Sequence, residues 1–183
     1  VWIGDPATPL HVRTDVPHAR IAQLVGARAK GTWRAGMYRR LKLVELAERA
    51  RTCEHLARAE RPAVLLTDGS PLVNTAAWAA ARYYRDELAG DSSALRDVVD
   101  YLSRAKPIPV REIPWYLRRA WPLVVLNRLG NVRFAPPDLV VLLEIDPATA
   151  LARIRARGRP LQAHETEPFL AELARAYDRV CRL

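Results

Sequence analysis

Residues 139–145 read LVVLLEI, and this run decides the predicted fold class. A nearly unbroken apolar and β-branched run of this length is typical of a strand buried on both faces of a parallel sheet. Two shorter runs have the same character, AVLLT at residues 63–67 and VWIG at residues 1–4. Because helical patterns separate the three runs, the sequence predicts an α/β domain with a parallel sheet between two helical layers.

The segments between the apolar runs show helical periodicity. Between residues 37 and 60, apolar positions recur every three or four residues, which predicts a long amphipathic helix. Further helices are predicted at residues 18–28, 73–88 and 93–105, and from Glu167 to the end of the sequence. Asp146-Pro147 predicts an N-cap and first turn for a helix that ends near Gly158.

The composition limits the class of protein. With 183 residues and 50% hydrophobic residues, the chain is expected to form a single domain over residues 1–183. No apolar run is long enough to span a membrane, and Cys53 and Cys181 are too few for a disulfide framework. We therefore expect a cytoplasmic protein that does not enter membranes.

The net charge of +9 predicts an anionic partner, either a nucleotide, a nucleic acid or an acidic surface. Charge alone is weak evidence for nucleic-acid binding, which we do not expect.

Acidic residues follow each of the three apolar runs. They are Asp5, Asp68 and Asp146. Ligands of open α/β sheets bind where strands end, so Asp5 and Asp68 are candidates for holding hydrated Mg²⁺ near phosphates. Asp68-Gly69 is also compatible with an ordinary turn, and Asp146 is best explained as a helix cap.

Four arginines surround Gly158: Arg153, Arg155, Arg157 and Arg159. One interpretation is a solvated helix end whose cations complement the helix dipole. The other is a mobile basic flap, hinged at Gly158, that closes on a polyphosphate.

Several segments resemble thymidylate kinase, a nucleotide kinase of the P-loop class. PDLVVLLEIDPATALARIRARGR at residues 137–159 resembles the family's fourth strand, following helix and lid, and EPFLAELARAYDRV at residues 167–180 resembles its next helix. VWIGDPATPLHVR at residues 1–13, LAERARTCEHL at residues 46–56 and AVLLTDGS at residues 63–70 resemble earlier family segments in the same order.

The resemblance implies a three-layer parallel sheet of the P-loop nucleotide kinase type, incomplete because the first and last strands and the Walker A phosphate loop lie outside the sequence. It also implies a lid at about residues 153–165. By position, Arg49 would hold the acceptor phosphate, Asp5 and Asn74 would contact the substrate, and Asp68 would bind Mg²⁺ through water, with Asp5 as a second metal-binding carboxylate. The catalytic residues implied are Asp68, Arg153, Arg157 and Arg159.

The function implied is transfer of the ATP γ-phosphate to a nucleoside monophosphate by the intact protein, with the fragment alone inactive and a homodimer possible. Two departures from the family pattern are Gly69, where the family has Arg, and the absence of a clear base-stacking residue. The residues that could take over base stacking, or that instead belong to the core, are Trp78, Tyr83 and Tyr84. The alternatives are a catalytically inactive kinase-like nucleotide-binding module and a basic nucleic-acid-binding protein.

Overall fold

The computed structural model describes residues 2–3, 16–32, 34–88, 90, 92–104, 109–118, 134–158, 161–162 and 164–183. In chain order its elements are β1 (Trp2–Ile3), α1 (Pro17–Lys30), α2 (Ala35–Glu60), β2 (Leu66–Thr67), α3 (Pro71–Trp78), a π-helical turn (Ala79–Tyr83), α4 (Arg85–Leu88), α5 (Ser92–Ser103), a 3₁₀ turn (Val110–Glu112), α6 (Trp115–Arg118), α7 (Pro147–Ala156) and α8 (Glu167–Cys181).

The helices follow the predicted positions closely. Asp146 caps α7 by accepting a hydrogen bond from the backbone N–H of Thr149 at 2.8 Å. Hydrogen bonding to the Thr149 side chain, and then to its backbone, lowers the pKa of the Asp146 carboxyl group. Ser70 and Thr166 cap α3 and α8 with their hydroxyl oxygens. Each of the three helices has a proline in its first turn, where a missing N–H costs no helical hydrogen bond. The prediction of an Asp146 cap is therefore confirmed.

The main core is formed by helices. Buried side chains of α2, α3, α4, α5 and α8 form one apolar cluster, which is completed by Tyr116 and Leu117 of α6 and by Ile113 and Phe134. A second, smaller cluster joins α1 to the C-terminal half of α2 through Val16, Ala19 and Leu56. Since α2 contributes to both clusters, it connects the two parts of the helical core.

The predicted three-layer parallel sheet is wrong. In the part of the chain that the structure describes, the strands are β1 and β2, each two residues long, which pair in parallel with Trp2 opposite Leu66 and Ile3 opposite Thr67. Val64 and Leu66 are each 64% exposed, so the second apolar run is not buried on both faces either. The described fold is therefore predominantly helical.

Residues 139–145 are the clearest departure from prediction. They form neither helix nor strand, and every one of them is exposed, from 38% at Leu142 to 85% at Leu143. An apolar run becomes a buried strand only when neighbouring strands satisfy its backbone groups and other elements cover its faces. Among the described residues no strand pairs with this run, so its apolar character alone does not place it in a sheet.

None of the described helices is both long and apolar enough to cross a membrane.

Candidate functional site

The candidate site is centred on Arg49, which α2 places beside the segment joining β2 to α3. The Arg49 side chain is only 7% exposed. Its Nη2 donates hydrogen bonds to the backbone carbonyl oxygens of Asp68 at 2.7 Å and Gly69 at 3.4 Å. These bonds fix the guanidinium where the chain leaves β2.

Among the described residues, no carboxylate forms an ion pair with Arg49. Its Nε is buried with no hydrogen-bond partner in the described part of the chain. A buried cation without an anionic partner is unfavourable because burial removes its hydration. A carboxylate or phosphate bound beside the guanidinium would supply a compensating negative charge.

Gly69 brings the backbone close to Asn74. Its φ of +72° lies in the left-handed region, and a Cβ at this position would be 2.7 Å from Nδ2 of Asn74. Any larger residue would therefore be strained and would displace the Asn74 amide. The arginine that the predicted resemblance to thymidylate kinase would place here would not fit this backbone conformation.

Tyr177 of α8 holds Asn74 in place. The phenol hydroxyl donates a 2.6 Å hydrogen bond to Oδ1 of Asn74, which leaves the Asn74 Nδ2 on the Gly69 side. Burial raises the pKa of Tyr177 to about 12, although a hydrogen bond with Trp78 and the charge of Arg49 act in the opposite direction. The phenol is therefore a neutral donor at any physiological pH.

Aromatic rings continue the site beyond Tyr177. The Trp78 ring lies 5.2 Å from the ring of His164 and 5.5 Å from that of Phe169, measured between centroids. Burial lowers the pKa of His164, and the charges of Arg82 and Lys42 lower it further, against a smaller opposing effect of Glu165. The imidazole is therefore neutral at pH 7.

The structure brings together three residues that the sequence singled out, Arg49, Asp68 and Asn74. Among the described residues no hydrogen bond or ion pair links Arg153 or Arg157 to them, and both arginines are exposed on or just after α7. Asp5 and Arg159 lie outside the described residues. Gly158 has a positive φ of 67°, which ends α7 but does not test the predicted hinge.

Of the two carboxylates predicted to bind metal, Asp68 is the one that lies in the described part of the chain. No group of three or more potential metal ligands occurs among the described His, Cys, Asp and Glu residues. The Asp68 side chain is exposed, and its backbone carbonyl is already bonded to Arg49. This arrangement fits hydrated Mg²⁺ held through water better than a directly coordinated ion.

Sequence reasoning missed Tyr177 and gave His164 no role. Tyr177 is 103 residues from Asn74, and no local pattern indicates such a contact. His164 has no partner at catalytic or metal-ligand spacing, so its position beside Trp78 could not be inferred. Of the proposed stacking residues, Tyr84 is buried in the core at 4% exposure and packs against Tyr116, whereas Trp78 adjoins the site.

A groove of about 500 Å³ lies elsewhere, between α5 and residues 110–118. Its lining combines acidic and basic side chains with the exposed ring of Trp115, and it includes none of the residues around Arg49.

No family model matches this chain, and neither a curated protein nor a solved structure shows significant similarity to it.

Proposed function

We propose that this chain forms the acceptor side of a nucleoside monophosphate kinase that transfers the γ-phosphate of ATP with Mg²⁺. The observation that carries the proposal is the buried guanidinium of Arg49, which has no carboxylate partner among the described residues and is fixed by the carbonyl groups of Asp68 and Gly69. A phosphate dianion would compensate its charge and accept its remaining hydrogen bonds.

The neighbouring groups suit the same ligand. The first turn of α3 begins two residues after Gly69, and the dipole of a helix N-terminus favours anions, although Pro71 has no N–H and Ser70 already caps that of Val73. The Asn74 amide, oriented by Tyr177, is a further neutral donor. Together these groups would fix one phosphate without a second buried cation.

Phosphoryl transfer requires mainly positioning and charge stabilisation. ATP supplies the phosphoryl group, and Mg²⁺, held through water by Asp68, would neutralise charge on the phosphates. Arg153 and Arg157 are exposed cations without an ion pair among the described residues. With Arg159 and Asp68 they form the catalytic residues of the proposal, and Asp5 is assigned to the substrate side. The proposal also includes a cytoplasmic location for the protein.

Binding without catalysis is the second candidate, and Gly69 favours it. Arginine at this position would supply a bidentate phosphate contact that glycine cannot make. The 2.7 Å approach to Asn74 shows that the local packing accommodates glycine specifically. A module that binds a nucleotide for regulation would need Arg49 and Asn74 but no second arginine.

The first experiment measures binding of thymidine 5′-monophosphate to the chain by calorimetry. R49Q should weaken binding about 10- to 100-fold, because it removes a charge-assisted hydrogen-bonding group. R49K keeps the charge but loses the planar fork of the guanidinium. Its affinity for the nucleotide should lie between those of R49Q and the native chain. R58Q is the matched control, since Arg58 is 77% exposed on the same helix and pairs with Glu54.

Equal affinity of R49Q and R58Q would exclude the Arg49 phosphate site, provided that both variants keep the native circular dichroism spectrum. Turnover separates the two candidates. The intact gene product should convert nucleoside monophosphates to diphosphates with Mg²⁺ and ATP, and binding without any turnover would support the regulatory module. Binding to duplex or single-stranded DNA that weakens steeply with salt would favour the nucleic-acid alternative.

A further inference from the structure

The rings near Asn74 and Tyr177 come from two parts of the chain that are distant in sequence. Trp78 ends α3, His164 lies in the segment between α7 and α8, and Phe169 is in the first turn of α8. Their centroids are 5.2 to 5.8 Å apart, with the His164 ring nearly perpendicular to the Trp78 ring at 81°. Chain segments far apart in sequence thus converge on one aromatic surface.

This aromatic surface connects directly to the phosphate site. Trp78 is four residues after Asn74, a separation of about 6 Å along a helix. Tyr177 adjoins both residues, because its hydroxyl bonds to Asn74 and Trp78 is close enough to lower its pKa. A ligand anchored at Arg49 and Asn74 would therefore reach the Trp78 ring through a linker the size of a sugar.

The rings are partly accessible. Trp78, His164 and Phe169 are each half-buried, in contrast to Tyr84 and Tyr116, which are 4% and 6% exposed within the core. Aromatic rings that only fill a core are normally closed off, whereas rings that stack on bases keep part of a face open. The partial exposure fits a stacking surface.

The polar groups near the rings add selectivity. The neutral imidazole of His164 can both donate and accept a hydrogen bond, as the edge of a nucleobase requires. Lys42 is already bonded to Glu45 at 2.6 Å, and the Arg82 guanidinium lies 5.8 Å from the Phe169 centroid. The ligand would therefore meet cationic side chains and the neutral ring of His164. A base that carries a positive charge would be disfavoured.

We propose that Trp78 and His164 form a nucleobase subsite, so that the ligand anchored by Arg49 is a nucleoside 5′-monophosphate whose base packs on Trp78 and contacts His164. The phosphate part of this ligand rests on the function proposed above. The aromatic part is independent of it, because a bare phosphate or a sugar phosphate would gain nothing from these rings.

The test compares ligands with and without a base. Thymidine 5′-monophosphate, adenosine 5′-monophosphate and ribose 5-phosphate are titrated into the chain by calorimetry at one salt concentration. At least one nucleotide should bind about 10-fold more tightly than ribose 5-phosphate, as expected for one stacked base. W78A and H164A should each reduce this ratio and leave the affinity for ribose 5-phosphate unchanged.

W115A is the matched control, because Trp115 is 55% exposed in the separate groove beside α5. It should not alter the ratio. If W78A fails to fold, W78F, which keeps a ring for stacking and should retain most of the ratio, is compared with H164A.

The outcomes separate the two proposals. A ratio near 1 in the native chain, with ribose 5-phosphate binding that R49Q still weakens, would refute the base subsite and leave the phosphate site intact. If R49Q weakens the binding of none of the three ligands, the proposed function itself is refuted. A ratio lowered by W78A but not by H164A would exclude the paired subsite, and tighter binding of single-stranded oligothymidine than of the mononucleotide would exclude the mononucleotide as ligand.

Discussion

At the scale of single residues, Gly69 sets the geometry of the candidate site. Its positive φ turns the chain from β2 into α3, and its missing side chain lets the Asn74 amide approach the backbone. The amide cannot simply move away, because Tyr177 holds its oxygen at 2.6 Å. A substitution at Gly69 therefore affects both backbone strain and packing.

We expect G69A to destabilise the fold by more than the 1–2 kcal/mol that left-handed backbone costs an ordinary residue, as an order-of-magnitude estimate. G158A is the control, since Gly158 also has a positive φ but none of the described residues lies within 4 Å of a Cβ there. Urea unfolding measures both variants. Equal losses would mean that the contact with Asn74 adds nothing to the strain.

At the scale of secondary structure, α2 serves both stability and the site. Its 26 residues pack against α1 at Leu56 and against the main core at Leu43 and Ala47, and it carries Arg49 toward α3. Burial on several sides means that displacing α2 would disturb the core and the guanidinium together. The precision of the candidate site therefore depends on how firmly this helix is packed.

Leu56 tests the packing of α1 on α2. It is 1% exposed and contacts the small cluster formed with Val16 and Ala19. L56A should lower the free energy of unfolding by about 2–5 kcal/mol, because it leaves a cavity that the helices fill only partly. L24A, at a position 65% exposed on α1, should change it by less than about 0.5 kcal/mol. A similar small effect of both variants in chemical denaturation would contradict the packing described.

At the scale of the whole molecule, the apolar side chains divide into a helical core and an exposed run. Leu139, Val141 and Leu143 are 73–85% exposed, with Val140 and Leu142 at about half that exposure. An exposed extended segment with this composition and no proline is a typical site of self-association. The exposed run is therefore expected to govern solubility more than stability.

L143K should reduce self-association in light scattering at high protein concentration and change the free energy of unfolding by less than about 0.5 kcal/mol. L151K is the control, because Leu151 is 8% exposed on α7 and a lysine there would bury a charge. A large loss of stability in L143K would show that this leucine is packed in solution.

The sequence by itself determined most of the helices, although it did not predict α6, and the helix predicted at residues 73–88 is divided into α3, a π-helical turn and α4. Periodicity, proline in first turns and capping residues such as Asp146 are local features, and local hydrogen bonds fix them. It also named Arg49, Asp68 and Asn74, which the structure brings together, although their role in phosphate binding is still a prediction.

Only the tertiary structure decided the rest. An apolar run such as residues 139–145 indicates that burial is favourable, but it does not show whether a neighbouring strand is available for pairing. The predicted sheet was wrong for this reason. The contacts of Tyr177 with Asn74 and of His164 with Trp78 join distant segments. Such contacts depend on how helices pack, which no local pattern encodes, because the same periodicity is compatible with many arrangements.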